Sequence, residues 1–294
     1  MRGSLAPTYD FLSPSNCIML FSDNYQSGLV SLVQNLPLEG YWKWTKCYIE
    51  MARAYGIPVV VVANAQDGPN GPLDPKFRKA FTKESKYPPI PLEVGKTYFP
   101  RNGPINPMDC PKVRAVVEAY KRNGRDKVLI NGIATDVCVA FPALTLKSEG
   151  YDVYVQGDSS GTTTDYQQKS AWDTMLMEKI KIVTWFYVGC ALQRNWLDEK
   201  LNAQYGRAEP LLTMVKKYYP NYMNLINSKY EKPDPEMPCD NNEQPIVQSA
   251  MTLRQPTLMS PRLSQRQQTS PMQSGMYPLT GLGTGPFSFS GFGN

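Results

Sequence analysis

The chain of 294 residues contains no histidine. That absence removes Ser-His-Asp and Cys-His catalysis, HExxH zinc sites and every acid–base step through imidazole. Carboxylate, amine, guanidinium, thiol and hydroxyl groups are what remains for chemistry. No stretch approaches roughly eighteen consecutive apolar residues, and Met1-Arg-Gly-Ser-Leu-Ala-Pro-Thr8 lacks the apolar core of a secretion signal. A cytoplasmic protein with no membrane partner is expected. The six cysteines at positions 17, 47, 110, 138, 190 and 239 form no CxxC pair, so neither a disulfide framework nor a cysteine zinc site is indicated. They read as reduced thiols, with no metal and no other cofactor. A GxxxxGK[ST] phosphate loop is also missing; the stretch Gln66-Asp-Gly-Pro-Asn-Gly-Pro-Leu73 is rich in turn formers and reads as a rigid surface turn. The net charge of +5 is mild, and the basic residues form no stripe with interleaved aromatics along the sequence. Nucleic acid is therefore not an expected partner.

With 41% hydrophobic residues there is enough apolar surface for a sizeable core. Apolar runs of strand length occur at Asn16–Asp23, Val59–Ala63, Lys96–Phe99, Lys127–Asn131, Asp152–Gln156 and Ile180–Trp185. Between them lie stretches of helical spacing at 41–55, closed by Gly56 and Pro58, at 113–121, after Cys138, and at 164–179. Two more amphipathic stretches follow, 190–203 and 211–219, the second ended by Pro220. Strands alternating with helices predict an α/β domain with a right-handed, mostly parallel sheet. The predicted domain covers 14–230, after a loose arm at 1–13. Residues 231–294 are rich in Pro, Ser, Gln, Met and Gly without aliphatic periodicity, and a disordered tail is expected there.

Three polar residues fall at the C-terminal ends of these strands, where an open α/β sheet forms its ligand crevice. They are Asp23, Arg101 and Cys138. An Asp in that position serves equally as a turn or cap residue. For Cys138 two readings stand side by side. It is a small buried hydrophobe, or it is a thiol at a helix entrance, where unpaired N–H groups and the helix dipole lower the pKa and favour thiolate.

The run Gly132-Ile-Ala-Thr-Asp-Val-Cys-Val-Ala-Phe-Pro-Ala-Leu144, followed by Glu149-Gly-Tyr-Asp-Val-Tyr-Val-Gln-Gly-Asp-Ser-Ser-Gly161, resembles the nucleophile segment of the isochorismatase-like cysteine hydrolases. Phe141-Pro-Ala-Leu144 and the Gly-Pro-Asn-Gly-Pro loop look most like the YcaC-type branch. The resemblance implies a three-layer α/β/α isochorismatase-like (Rossmann-like) fold with a central, mostly parallel sheet. It also implies a metal-independent hydrolase in which Cys138 attacks a small amide, carbamoyl, ureido or enol-ether substrate and Asp23 is the general base. Arg101 stands where the family has Lys. A cis peptide between Ile133 and Ala134 would turn the Ala134 N–H inward, to form an oxyanion hole with that of Cys138. Aligned back from Gly28, Asn24 takes the general-base position; aligned along the strand from Asn16, Asp23 keeps it, and a buried strand tolerates insertion less than the turn after it. The resemblance further implies a homo-oligomer, in which Trp196, Leu201, Tyr218 and Tyr222 would be covered. A catalytically inactive binding or scaffold protein of the same fold is the alternative function.

Overall fold

The computed structural model describes residues 9–205 and 209–222. Six strands form one sheet in the order β3-β2-β1-β4-β5-β6, with every neighbouring pair parallel. The strands are β1 (Cys17–Ser22), β2 (Val59–Asn64), β3 (Tyr98–Arg101), β4 (Lys127–Ile133), β5 (Asp152–Gly161) and β6 (Lys181–Val183). Helices α1 (Leu38–Tyr55), α2 (Pro75–Thr82), α3 (Pro111–Arg122), α4 (Ala140–Ser148) and α5 (Asp165–Met177) alternate with them. Three more, α6 (Trp185–Gln193), α7 (Glu199–Tyr205) and α8 (Leu211–Tyr218), follow β6.

The strands read as unbroken apolar runs because both sheet faces are covered. Along β1, Cys17, Met19 and Phe21 point into one core, shared with residues of α1, α2, α6 and α8. Ile18 and Leu20 point into the other, shared with α3, α4 and α5. This is the three-layer α/β/α arrangement. The first core is aromatic, with Phe21, Phe77 and Phe81 in edge contacts and Trp44 stacked on Trp185 at 5.5 Å. The second is mostly aliphatic, with Phe99 and Tyr151 as its buried rings.

Local chemistry sets the element ends. Gly56 closes α1 in the left-handed conformation with φ of 64°. Asp74 caps α2 by accepting the Lys76 N–H at 2.6 Å, and Pro75 sits in its first turn. That helix was not among the periodic stretches, although its Asp-Pro start is legible. Strand β5 continues to Gly161, five residues beyond the predicted end, because its register against β4 shifts: Ile130 faces Val155, whereas Gly132 faces Ser160. Trp185 opens α6 instead of ending β6.

Residues 9–13, which the composition places in a loose arm, are held against the domain. Leu12 is buried, Asp10 forms an ion pair with the buried Lys127, and the Asn16 side-chain amide donates to the Phe11 carbonyl at 3.1 Å. Tyr218 is likewise packed inside the chain and Leu201 against its core, so of the residues expected at an assembly surface only Trp196 and Tyr222 are exposed. Cys17, Cys47, Cys110, Cys138 and Cys190 are free thiols. The expected tail at 231–294, with Cys239, lies outside the described residues. Among those described, no helix is long and apolar enough to cross a membrane.

Candidate active site

Strand order reverses between β1 and β4, where the chain has wound outward in both directions, and a crevice opens beyond their C-terminal ends. Ser22 of β1 is paired with Gly132 of β4, and a Cβ at Gly132 would collide with the Ser22 carbonyl oxygen. Glycine here serves close approach of two strands. The approach lets the Ser22 hydroxyl donate to the Cys138 carbonyl oxygen at 2.5 Å. The turn carrying the thiol is thereby tied to the end of β1.

Asp23 and Tyr25 follow β1 with φ of 51° and 57°, in the left-handed region that costs a residue with a Cβ about 1–2 kcal/mol. The turn they make is braced from outside. Gly28 N–H donates to the Asn70 carbonyl at 2.9 Å and Ser27 N–H to that of Pro72, so the Gly-Pro-Asn-Gly-Pro loop is laid along it. Buried Gln26 accepts the Asn64 N–H at 2.9 Å and donates to the Gly71 carbonyl at 2.6 Å, joining the turn, the loop and the end of β2.

Arg101, the last residue of β3, reaches past β2 to Asp23. Its Nη2 donates to Asp23 Oδ2 at 2.5 Å, with both side chains buried. Carbonyls of Pro104 and Ile105 take further N–H groups of the same guanidinium. The other carboxylate oxygen, Asp23 Oδ1, has no partner of ordinary hydrogen-bond geometry, and the Asp23 carboxylate meets the Cys138 thiol. Asn24 turns away. It accepts from the Tyr41 hydroxyl at 2.8 Å and donates to Asn131, which in turn donates to Gln156. Of the two candidates for the base position, Asp23 is therefore the one beside the thiol.

Cys138 sits in a π-helical turn, Thr135–Val139, that leads into α4. The helix entrance does not make it acidic. Burial first, then the charge and hydrogen bond of Asp23, push the thiol up to about 12, against the opposing pull of Arg101 and of the Ala134 N–H. The helix start has little to offer in return, since the N–H groups of Val137 and Val139 are already spent on the Ala134 carbonyl at 3.1 and 3.2 Å. Of the two readings of Cys138, the buried, neutral thiol is the one this environment favours at rest. Asp23 is raised above the usual carboxylate range because its burial outweighs Arg101 and the donors around it. Ala134 follows a cis Ile133–Ala134 peptide, and its N–H faces the sulfur. Thr162 and Gln167 hold the Asp136 carboxylate at 2.7 and 3.3 Å, fixing the outer side of the turn. Sequence reasoning passed over the Asn24–Asn131–Gln156 chain. Its only local signal is amide side chains within otherwise apolar strands.

The pattern of the Isochorismatase domain family matches residues 24–185. "Probable hydrolase YcaC" of Escherichia coli (strain K12) is 33% identical over 220 residues, 75% of this chain and 94% of that protein. YcaC of Pseudomonas aeruginosa, solved with hexane-2,5-diol and covalent acrylamide, superposes with a TM-score of 0.63 at 32% identity, over 76% of this chain and 98% of that one. The crystal structure of Escherichia coli YcaC, described as an octameric hydrolase of unknown specificity, gives a TM-score of 0.62 at 32% identity and the same coverage. With more than half of its length matched by the domain and most of it aligned with YcaC, the chain belongs to the isochorismatase family.

Proposed function

We propose that the protein is a metal-independent cysteine hydrolase of small amide, carbamoyl, ureido or enol-ether compounds, with Cys138 as nucleophile and Asp23 as general base. The observation that carries this reading is the buried Asp23 carboxylate, fixed by Arg101 at 2.5 Å through one oxygen and meeting the Cys138 thiol. Because the resting thiol is neutral, attack and deprotonation are coupled. As sulfur bonds to the substrate carbon, its proton passes to Asp23, and the carbonyl electrons move onto oxygen. The N–H groups of Ala134 and Cys138 receive that oxyanion. On an amide, collapse breaks the C–N bond while Asp23 returns the proton to the leaving amine. Water then attacks the thioester, giving a proton to Asp23 and restoring the thiol. Arg101 keeps Asp23 in place and stays charged throughout, so it moves no proton. The covalent acrylamide on the Pseudomonas aeruginosa relative is a small amide with an electrophilic carbon, which suits a pocket of this chemistry.

Acrylamide is accordingly the probe. In the native full-length protein Cys138 is expected to be labelled at pH 7 at least as fast as free cysteine, ahead of the other thiols, as peptide mapping would show. A slower Cys138 removes the case for a nucleophile and leaves the inactive scaffold. Assembly belongs to the same reading. Trp196, Leu197 and Tyr222 are 46%, 56% and 52% exposed, and the octameric Escherichia coli relative offers a precedent for covering such a surface. Sedimentation at micromolar concentration should show a closed homo-oligomer; a single monomer overturns it.

A further inference from the structure

Lysines distant in sequence meet in a groove between α1 and α2. Lys46 of α1, Lys76 and Lys79 of α2, and Lys83 at the end of α2 line a cavity of about 370 Å³, whose other walls are Trp42 and Ala80. No carboxylate lines it. On α2 the three lysines follow the helical repeat and share one face. Lys76 is set in place by the Trp42 ring, 4.3 Å from its ammonium. Lys46 is partly buried, and among the described residues it has neither a hydrogen bond nor an ion pair. Glu50, the acid whose charge favours the Lys46 ammonium, is already paired with Lys217. Desolvation, with the charges of Lys217, Lys83 and Lys76, works against the Lys46 ammonium, and Glu50 only partly offsets them. A fold that gathers like charges around a half-buried amine leaves a place for a counter-anion.

We propose that this groove binds a small polyanion carrying two or more phosphate groups, contacted directly by Lys46, Lys76, Lys79 and Lys83. Four ammonium groups match the charge of two phosphates near neutral pH. Lysine binds phosphate as a compact point charge with three donors, and four such groups line this groove. The cavity has the size of a small-ligand pocket and lacks the extended basic track that a nucleic acid follows. The groove does not show along the sequence because its lysines come from two helices separated by a strand.

Tripolyphosphate, orthophosphate and sulfate titrated calorimetrically into the full-length protein at constant ionic strength provide the test. One tripolyphosphate per chain is expected, bound more tightly than orthophosphate or sulfate. Lys79→Gln and Lys83→Gln, both at exposed positions that leave the fold intact, should each weaken it about tenfold, the size of one charge-assisted contact. Tripolyphosphate binding no better than sulfate, or equally to both variants, overturns the proposal. So does a single-stranded RNA that outcompetes tripolyphosphate at equal phosphate concentration, which would make the groove a nucleic-acid surface. Protection of Lys46, Lys79 and Lys83 from acetylation in the ligand-free protein would also overturn it, by showing that a second copy covers the groove.

Discussion

Asp23 and Asp158 are both carboxylates withdrawn from water, and they are held in opposite ways. Asp158 lies where β5 slips its register against β4, and both of its oxygens are taken by neutral donors of the scaffold. The Tyr48 hydroxyl of α1 donates to Oδ1 at 2.8 Å, and the Trp185 N–H at the start of α6 donates to Oδ2 at 2.7 Å. It is a joint between two helices and a strand. Asp23 gives one oxygen to a buried guanidinium and keeps the other without a regular partner next to a thiol. The cation offsets part of the cost of burying the carboxylate, and the unspent oxygen leaves it able to accept a proton. On the proposed reading, what separates a base from a fastener is the number of lone pairs that the scaffold leaves unspent.

The largest effect that would break this comparison is at Asp23 itself. Asp23→Asn keeps the shape and removes the proton acceptor, so acrylamide labelling of Cys138 at pH 7 should fall about 10²–10⁴-fold, the range of a lost general base. Labelling unchanged in the variant would reduce Asp23 to a second Asp158. Removing the cation comes next. Arg101→Met leaves a buried carboxylate uncompensated and should destabilise the protein by about 3–5 kcal/mol in a denaturant melt. Asp23→Asn in the same chain should return part of that loss, because no charge is then left stranded. Equal stability of the single and double variants would mean that the pair is not coupled.

Much of the crevice was legible in residue identity and position. A polar residue that ends an apolar run in an α/β chain points at the sheet edge, and Asp23 and Arg101 were found in that way, Cys138 as a thiol at the helix entrance after β4. What was not legible depends on who faces whom. Asn131 and Gln156 stand within strands that otherwise read as apolar, and only the parallel pairing of β1, β4 and β5 brings them to Asn24. The sequence left the two readings of the thiol open for a related reason. Position at a helix entrance is visible along the chain, whereas burial and a carboxylate arriving from another strand are not, and those two dominate. Asp158 likewise sits in Gly157-Asp-Ser-Ser-Gly161, which has the composition of a turn and is part of a strand because β4 and α1 hold it there.

The smallest effect sharpens the comparison from the side of Asp158. Burial lifts its carboxyl from an ordinary 3.8 to about 6, and the Tyr48 and Trp185 donors only partly oppose this. The folded protein therefore binds this proton more tightly than the unfolded chain. Below about pH 4 both states hold it; between pH 4 and 6 the unfolded chain has released it while the folded one has not, so stability falls as pH rises through that window. The loss approaches about 3 kcal/mol by pH 7, from roughly two pH units at 1.36 kcal/mol each. Asp158→Asn carries no proton to titrate. Its Oδ1 can still accept the Trp185 N–H, and its Nδ2 can donate to the Tyr48 oxygen. Asp152, whose carboxyl the Lys181 and Tyr154 hydrogen bonds hold low despite burial, titrates below this window, and parent and variant share that contribution. The informative quantity is hence the difference between parent and variant. Denaturant melts at pH 4, 5, 6 and 7 should show Asp158→Asn gaining on the parent as pH rises, with most of the change below pH 6.5. Parallel curves would mean that Asp158 keeps an ordinary affinity for its proton, and that an unpaired carboxylate in the β5 irregularity is no more costly than one in water.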